Sequence, residues 1–157
     1  MQGLSRFGIN MEEFGIESSA FYSVITLFLL LEKQIVEYLK PYNLSPSQFN
    51  ALMIIKHMGK SKGLSQVDIS EKLIVSASNM TRLLDKLKKE SLIERCPQEH
   101  DRRVNLIKVT DKGSALLDEI WPAYIELIKK LTRHMDENEL KSTTGLLLKW
   151  FSGIEHI

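Results

Sequence analysis

The stretch from Leu92 to Val109 limits the fold more than any other. Two short runs in which aliphatic or β-branched residues alternate with polar ones, Leu92 to Cys96 and Val104 to Val109, flank the loop PQEHDRR. This pattern predicts an antiparallel ribbon of two strands with a charged tip. Directly ahead of it, Ser76 to Glu90 places Met80, Leu83, Leu84 and Leu87 at helical spacing. A helix with that single apolar stripe buries it, so Ser78, Arg82, Asp85 and Lys89 point away, with Asn79 and Lys86 beside them.

The rest of the chain reads as helices joined by short connections. A first helix is predicted from Glu17 to Lys40, ended by Pro41, because the residue before a proline is pushed out of helical geometry. In LSPSQF, Ser45 is the cap, Pro46 takes the first helical position and Gln48 completes a capping box, opening a second helix to Met58. GLSQVD repeats the pattern with Ser65 as cap and Asp68 in the first turn, for a short third helix to Leu73. Ser76 caps the fourth. Thr110 caps a fifth, running to Met135, with Leu116, Leu117, Ile120, Tyr124, Leu127, Ile128 and Leu131 apolar and a kink at Pro122. Asp136 with Glu139 opens a last helix to Trp150.

The expected fold class is therefore mainly α with a small β-wing. A winged helix-turn-helix (residues 42–110) is flanked by N- and C-terminal dimerisation helices (residues 17–40 and 111–157) in one chain of 157 residues. The flanking helices carry more large hydrophobes than a small wing module needs, among them Phe21, Phe28, Leu29, Leu147, Leu148, Trp150, Phe151 and Ile154. A second copy of the chain is the natural cover. The apolar run Ala20 to Leu31 is shorter than the ~20 residues a bilayer-spanning helix needs and is followed by Glu32 and Lys33, so no membrane partner is expected. No signal peptide is expected either, since a basic leader and a small-residue cleavage site are lacking.

Lys and Arg total 21 against 20 Asp and Glu, so net charge alone does not indicate an anionic partner. Its distribution does. From Ser61 to Val109 there are 10 basic and 7 acidic residues, whereas from Thr110 onward there are 6 basic and 8 acidic. The basic middle of the chain coincides with the helix pair and the ribbon. The second helix of such a pair fits the major groove of double-stranded DNA, which admits a helix and displays a distinguishable donor and acceptor pattern. Ser76, Ser78, Asn79 and Thr81 are small groups suited to base edges and phosphates, and Arg82 and Lys86 can neutralise phosphate or reach guanine. Ser65 and Gln66, opening the first helix of the pair, join the DNA-binding candidates. At the tip, Arg102 and Arg103 can enter the minor groove, whose negative potential attracts guanidinium groups. Asp101 orients the loop by pairing with Arg95 or Arg103. A solvated helix face and an ordinary polar hairpin turn are the bland alternatives, and for Ser76 capping alone is a sufficient reason.

These residues carry a resemblance. LSPSQFNALMII, LSQVDISEKL, SASNMTRLLDKLKKESLIER and DRRVNLIKVTDKG resemble, in this order, the MarR (multiple antibiotic resistance regulator) family of bacterial transcription factors. Asp101, Arg103, Thr110 and Gly113 fall on the family's wing signature, D-x-R followed by a strand and L-T-x-x-G. The resemblance implies a homodimer joined by its first and last two helices, which binds palindromic operators and usually represses, releasing DNA when a small molecule or oxidant is sensed. Two departures stand out. Ser91 takes the place of a usual glycine after the recognition helix, a left-handed position where serine costs ~1 kcal/mol. Val109 replaces a commoner leucine.

The only cysteine, Cys96, allows no intrachain disulfide and no clustered-thiol metal site, which suits a reducing cytoplasm. It lies far from the first helix, where some relatives carry a peroxide-sensing thiol. His57, His100, His134 and His156 lack metal-ligand spacing, so neither metal nor other cofactor is expected. In the family a small-molecule pocket lies between the dimer helices and the reading head; the candidates here are Tyr22, Ile25, His57, Met58, Trp121 and Tyr124, which would take a small aromatic or apolar effector, and core packing accounts for them equally well. No glycine-rich phosphate loop, G-x-S-x-G elbow or nucleophile and base pair is present, so an enzyme is not expected. The alternative function is a winged-helix protein-interaction module whose basic face docks an acidic protein surface.

Overall fold

The computed structural model describes residues 7–8, 11–73, 77–97 and 105–155. Its first helix, α1 (Met11–Leu39), begins earlier than expected and bends at Gly15, whose φ of 74° lies outside helical space and suits only a residue without Cβ. Ser19 and Ser23 return their hydroxyls to the carbonyls of Gly15 and Ser19 at 2.7 Å. Pro41 ends α1 as predicted: a single 3-10 turn, Lys40–Tyr42, follows and closes on the left-handed Asn43. The apolar run is not too short after all: the helix Gly15–Tyr42 that contains it is long and apolar enough to cross a bilayer by length and composition.

Helix α2 (Pro46–Ile54) starts at the predicted capping box: Ser45 Oγ accepts from the Gln48 amide and Gln48 Oε1 accepts from the Ser45 amide. Instead of running to Met58 as an α-helix it widens into a π turn, Ile55–Gly59. Here Lys56 Nζ reaches the Asp118 carboxylate at 2.6 Å and the Ser114 carbonyl at 3.4 Å. The bond joins the wide turn to a segment about 60 residues further along the chain.

Strand β1 (Leu64–Ser65) precedes α3 (Gln66–Leu73), and after an interval outside the described residues α4 (Ala77–Lys89) leads to β2 (Ile93–Pro97) and β3 (Asn105–Val109). The sheet is antiparallel in the order β1-β3-β2, with Ile107 opposite both Leu64 and Arg95. Two strands were expected; β1 is the third. It forms because Gly63, at φ 84°, lets the chain approach β3 so closely that a Cβ there would stand 2.9 Å from the Ile107 carbonyl oxygen. Helix α5 (Asp111–Thr132) runs continuously through Pro122, and α6 (Glu137–Ile154) begins at the predicted capping box of Asp136 and Glu139.

Packing divides the chain into two units, one ending at Glu119 and one starting at Ile120. The first unit holds most of the core: Phe49, Leu52, Ile55, Ile69, Met80, Leu84, Leu87, Ile93 and Ile107 are all buried. Leu116 and Leu117 of α5 follow the predicted stripe, half-buried and buried. In the second unit Ile120 is buried, Tyr124, Leu127 and Leu131 are half-buried, and Ile128 is exposed.

Candidate nucleic-acid interface

Helix α4 owes its orientation to its stripe. Met80, Leu84 and Leu87 are fully buried and Leu83 is half-buried, which turns Ser78, Asn79, Thr81, Arg82, Asp85, Lys86 and Lys89 to the surface. Among the described residues, Arg82, Lys86 and Lys89 form no ion pair. Cationic side chains on an exposed helix face, with small hydroxyl and amide groups toward its N-terminus, match the chemistry of a groove lined by phosphates.

The preceding helix is fastened to α4. Gln66 Nε2 donates to Thr81 Oγ1 at 2.9 Å, so two DNA-binding candidates are partly engaged with each other. Ser65 is engaged too: its hydroxyl donates to the Asp68 carboxylate at 2.7 Å, and its oxygen accepts from the Asp68 amide at 3.2 Å. The Ser65 hydroxyl and amide, both donating to this carboxylate, hold the Asp68 carboxyl below its ordinary 3.8. The serine is the predicted cap, and the answering carboxylate completes it.

At its C-terminus α4 closes on Ser91, which takes the left-handed φ of 59° expected there. The amides of Ser91 and Leu92 return to the carbonyls of Lys88 and Leu87, a Schellman closure that passes the chain into β2. Arg95, offered above as a partner for Asp101, instead donates through Nη2 to Asp85 on α4 at 2.8 Å. Ser76, His100, Asp101, Arg102 and Arg103 lie outside the described residues. The described strands carry Pro97 and Asn105, opposite each other, to the start of the tip.

The wing signature has a physical basis at its other end. Thr110 caps α5 by accepting from the Gly113 amide at 3.1 Å while donating to the Ser91 carbonyl at 2.7 Å. A Cβ on Gly113 would stand 2.2 Å from the Leu92 carbonyl oxygen, so only glycine lets α5 start against the wing.

The six ligand candidates distribute differently. Tyr22 and Ile25 are exposed on α1, with Tyr22 edge-on to Phe21 at 5.5 Å, and His57 and Met58 are exposed in the π turn. Trp121 and Tyr124 lie on the second unit's part of α5 with ring centroids 6.0 Å apart, and burial pushes the Tyr124 hydroxyl above its ordinary 10.0. A cavity of about 360 Å³ on α6 is lined by Leu146, Lys149, Trp150, Gly153 and Ile154, none of them a candidate. Among the described residues no group of three or more His, Cys, Asp or Glu side chains could hold a metal ion.

Comparison with known proteins agrees with this geometry. The model of the MarR family matches residues 42–104, the span from the end of α1 to the wing. The multiple antibiotic resistance protein MarR of Salmonella typhimurium is 31% identical over 114 residues, covering 71% of this chain and 76% of that protein. The chain belongs to the MarR family. A second relative of this MarR-family chain, the HTH-type transcriptional regulator MhqR of Bacillus subtilis, is 29% identical over 71% of this chain and 74% of its own. Among solved structures, a mutant MarR from E. coli complexed with operator DNA is similar at a TM-score of 0.75 and 26% identity, covering 82% of this chain and 90% of that one. The winged-helix architecture and a place among transcriptional regulators rather than enzymes follow from membership.

Proposed function

We propose that this chain is a homodimeric transcriptional repressor that reads a palindromic operator in the cytoplasm and releases it when a small aromatic or apolar effector binds. The single observation that carries the reading is the outward face of α4, where Arg82 and Lys86 stand exposed among Ser78, Asn79 and Thr81 beside the wing strand β2. In this reading α4 enters the major groove and Arg102 and Arg103 enter the flanking minor groove, with Asp101 orienting the tip and Ser65, Gln66 and Ser76 at the phosphate backbone.

Support for the homodimer comes from α1 and α6. Phe21, Phe28 and Leu29 on α1 and Leu147, Leu148, Trp150, Phe151 and Ile154 on α6 are all exposed in the single chain. Apolar rows of this extent call for cover, and a second copy supplies it with twofold symmetry and two reading heads one helical turn apart, roughly 34 Å. The same cover removes α1 from competition for lipid. Tyr22, Ile25, His57, Met58, Trp121 and Tyr124 are the effector contacts of this reading, each with accessible ring or side-chain surface.

The test is selection of bound sequences from a random duplex pool by the purified protein. The expected product is a palindrome preferred over random duplex by at least ~10³, with log affinity falling linearly in log salt. Arg82→Glu and Arg103→Glu proteins, still folded and dimeric, lose that binding. A protein that prefers no duplex at low ionic strength, or charge-reversed variants that bind as the parent does, would overturn the reading in favour of a module that docks an acidic protein.

A further inference from the structure

We infer that Asp85 and Arg95 are a positioning pair for the recognition helix: Arg95 is held back from DNA so that Asp85 neither repels it nor captures the cations that should meet it. The inference rests on the DNA-binding reading of α4 given above. Its starting point is the awkward place of Asp85. At 100° per residue, Asp85, Ser78, Lys89 and Arg82 fall within roughly 60° of arc, so the carboxylate sits on the outward face at one edge of that arc. It is exposed there, with 57% of its side chain accessible. An anion at that point opposes a polyanion.

Partners are available on α4 itself. Arg82 stands three residues before Asp85, and Lys88 and Lys89 stand three and four after, the spacings at which helical ion pairs form, with the acid preceding the base as the better order. None of them is used. Asp85 Oδ1 instead accepts from Arg95 Nη2 at 2.8 Å, a residue on β2 whose side chain is only 28% accessible. Two consequences follow from this choice. Arg82, Lys86 and Lys89 are left without an ion pair among the described residues, and α4 is fastened to the wing strand at its outer face as well as by its buried stripe. Glu94, the neighbour of Arg95 and the other charge of β2, is exposed and stands opposite Lys108 in the register with β3.

The test uses the full-length protein and the duplex that it selects, comparing Asp85→Asn, Arg95→Met and the double variant in affinity, salt dependence and unfolding temperature. Asp85 is exposed and Arg95 half-buried, and all three proteins are expected to fold with little change in stability. Arg95→Met, which leaves the Asp85 charge unopposed, is expected to bind about tenfold more weakly, Asp85→Asn and the double variant to bind within about twofold of the parent, and the slope of log affinity against log salt to stay within half a unit of the parent's. An Arg95→Met protein whose slope falls by about 0.9, with losses that add in the double variant, would make Arg95 a phosphate contact and overturn the inference. Unchanged affinity in every variant would overturn it as well. Failure of the parent to select any duplex would instead defeat the underlying reading, and the two failures are distinct.

Discussion

The Thr110 hydroxyl joins the two ends of the wing: it donates to the Ser91 carbonyl at 2.7 Å and accepts from the Gly113 amide at 3.1 Å. One side chain thus fixes the exit of α4 and the entry of α5. Replacing it by valine keeps the shape and removes both bonds. Thr110→Val is expected to cost ~1 kcal/mol in denaturant unfolding, the usual loss for a helix cap. Ser91→Gly should act in the opposite sense, raising stability by up to ~1 kcal/mol, because φ 59° is unfavourable for a residue with a Cβ.

Gly113 and Lys60 form a second pair of opposites. A methyl group on Gly113 meets the Leu92 carbonyl oxygen, part of a backbone that cannot yield without disturbing the base of β2. Gly113→Ala is expected to destabilise by about 2–3 kcal/mol. Lys60 follows the π turn at φ 44° and ψ −132°, a conformation that glycine adopts freely and that strains a residue with a Cβ. Lys60→Gly should raise the unfolding midpoint by the equivalent of ~1 kcal/mol. If both changes moved stability the same way, the backbone geometry at one of the two sites would be wrong.

The Asp68 carboxylate gives a pH signature. Its pKa is lowered in the folded chain by the hydroxyl and amide of Ser65, and Lys72 adds to this, so folding favours the ionised form. The resulting stability is fully present above the unfolded value near 3.8 and is lost as pH falls through the lower folded value. Unfolding measured between pH 5 and pH 2 should therefore decline less steeply in Asp68→Asn than in the parent. Parallel curves would show that the capping carboxylate is not coupled to folding.

Lys56 tests whether the π turn is held from outside. Its ammonium bridges to Asp118 and the Ser114 carbonyl across 62 and 58 residues of sequence. Lys56→Met keeps most of the stem and removes the bridge. The expected loss is modest, below ~1 kcal/mol, because Asp118 is largely exposed. Amide exchange of residues 55–59 should nevertheless quicken more than that of α2 as a whole.

Much of this architecture could be read from the chain alone, because it is decided locally. The capping boxes at Ser45 and Asp136, the stop at Pro41, the stripe of α4 and the alternation of β2 and β3 each depend on residues within one or two turns of one another. Features decided at a distance were not visible. The π turn is bonded to Asp118, distant in sequence, and the two-residue strand β1 is too short to alternate and relies on how closely Gly63 can approach Ile107. Arg95 is one of two arginines that the sequence offers to Asp101, and its bond goes back ten residues to Asp85. The α4 face was legible because a single buried stripe fixes everything opposite it. The effector candidates stand in pairs on three elements, where helical spacing alone does not separate a binding wall from core packing.

The order β1-β3-β2 has a consequence for crowding. Because Leu64 and Ser65 occupy the flank of β3 at Ile107 and Leu106, the main uncovered rim of the sheet is β2, five residues long. That rim ends in Pro97, which has no amide to offer, and it bears the charges of Glu94 and Arg95. Short, charged and proline-terminated borders resist strand-by-strand accretion between neighbouring molecules. The ribbon can project from the protein at high local concentration without becoming a template for fibrils.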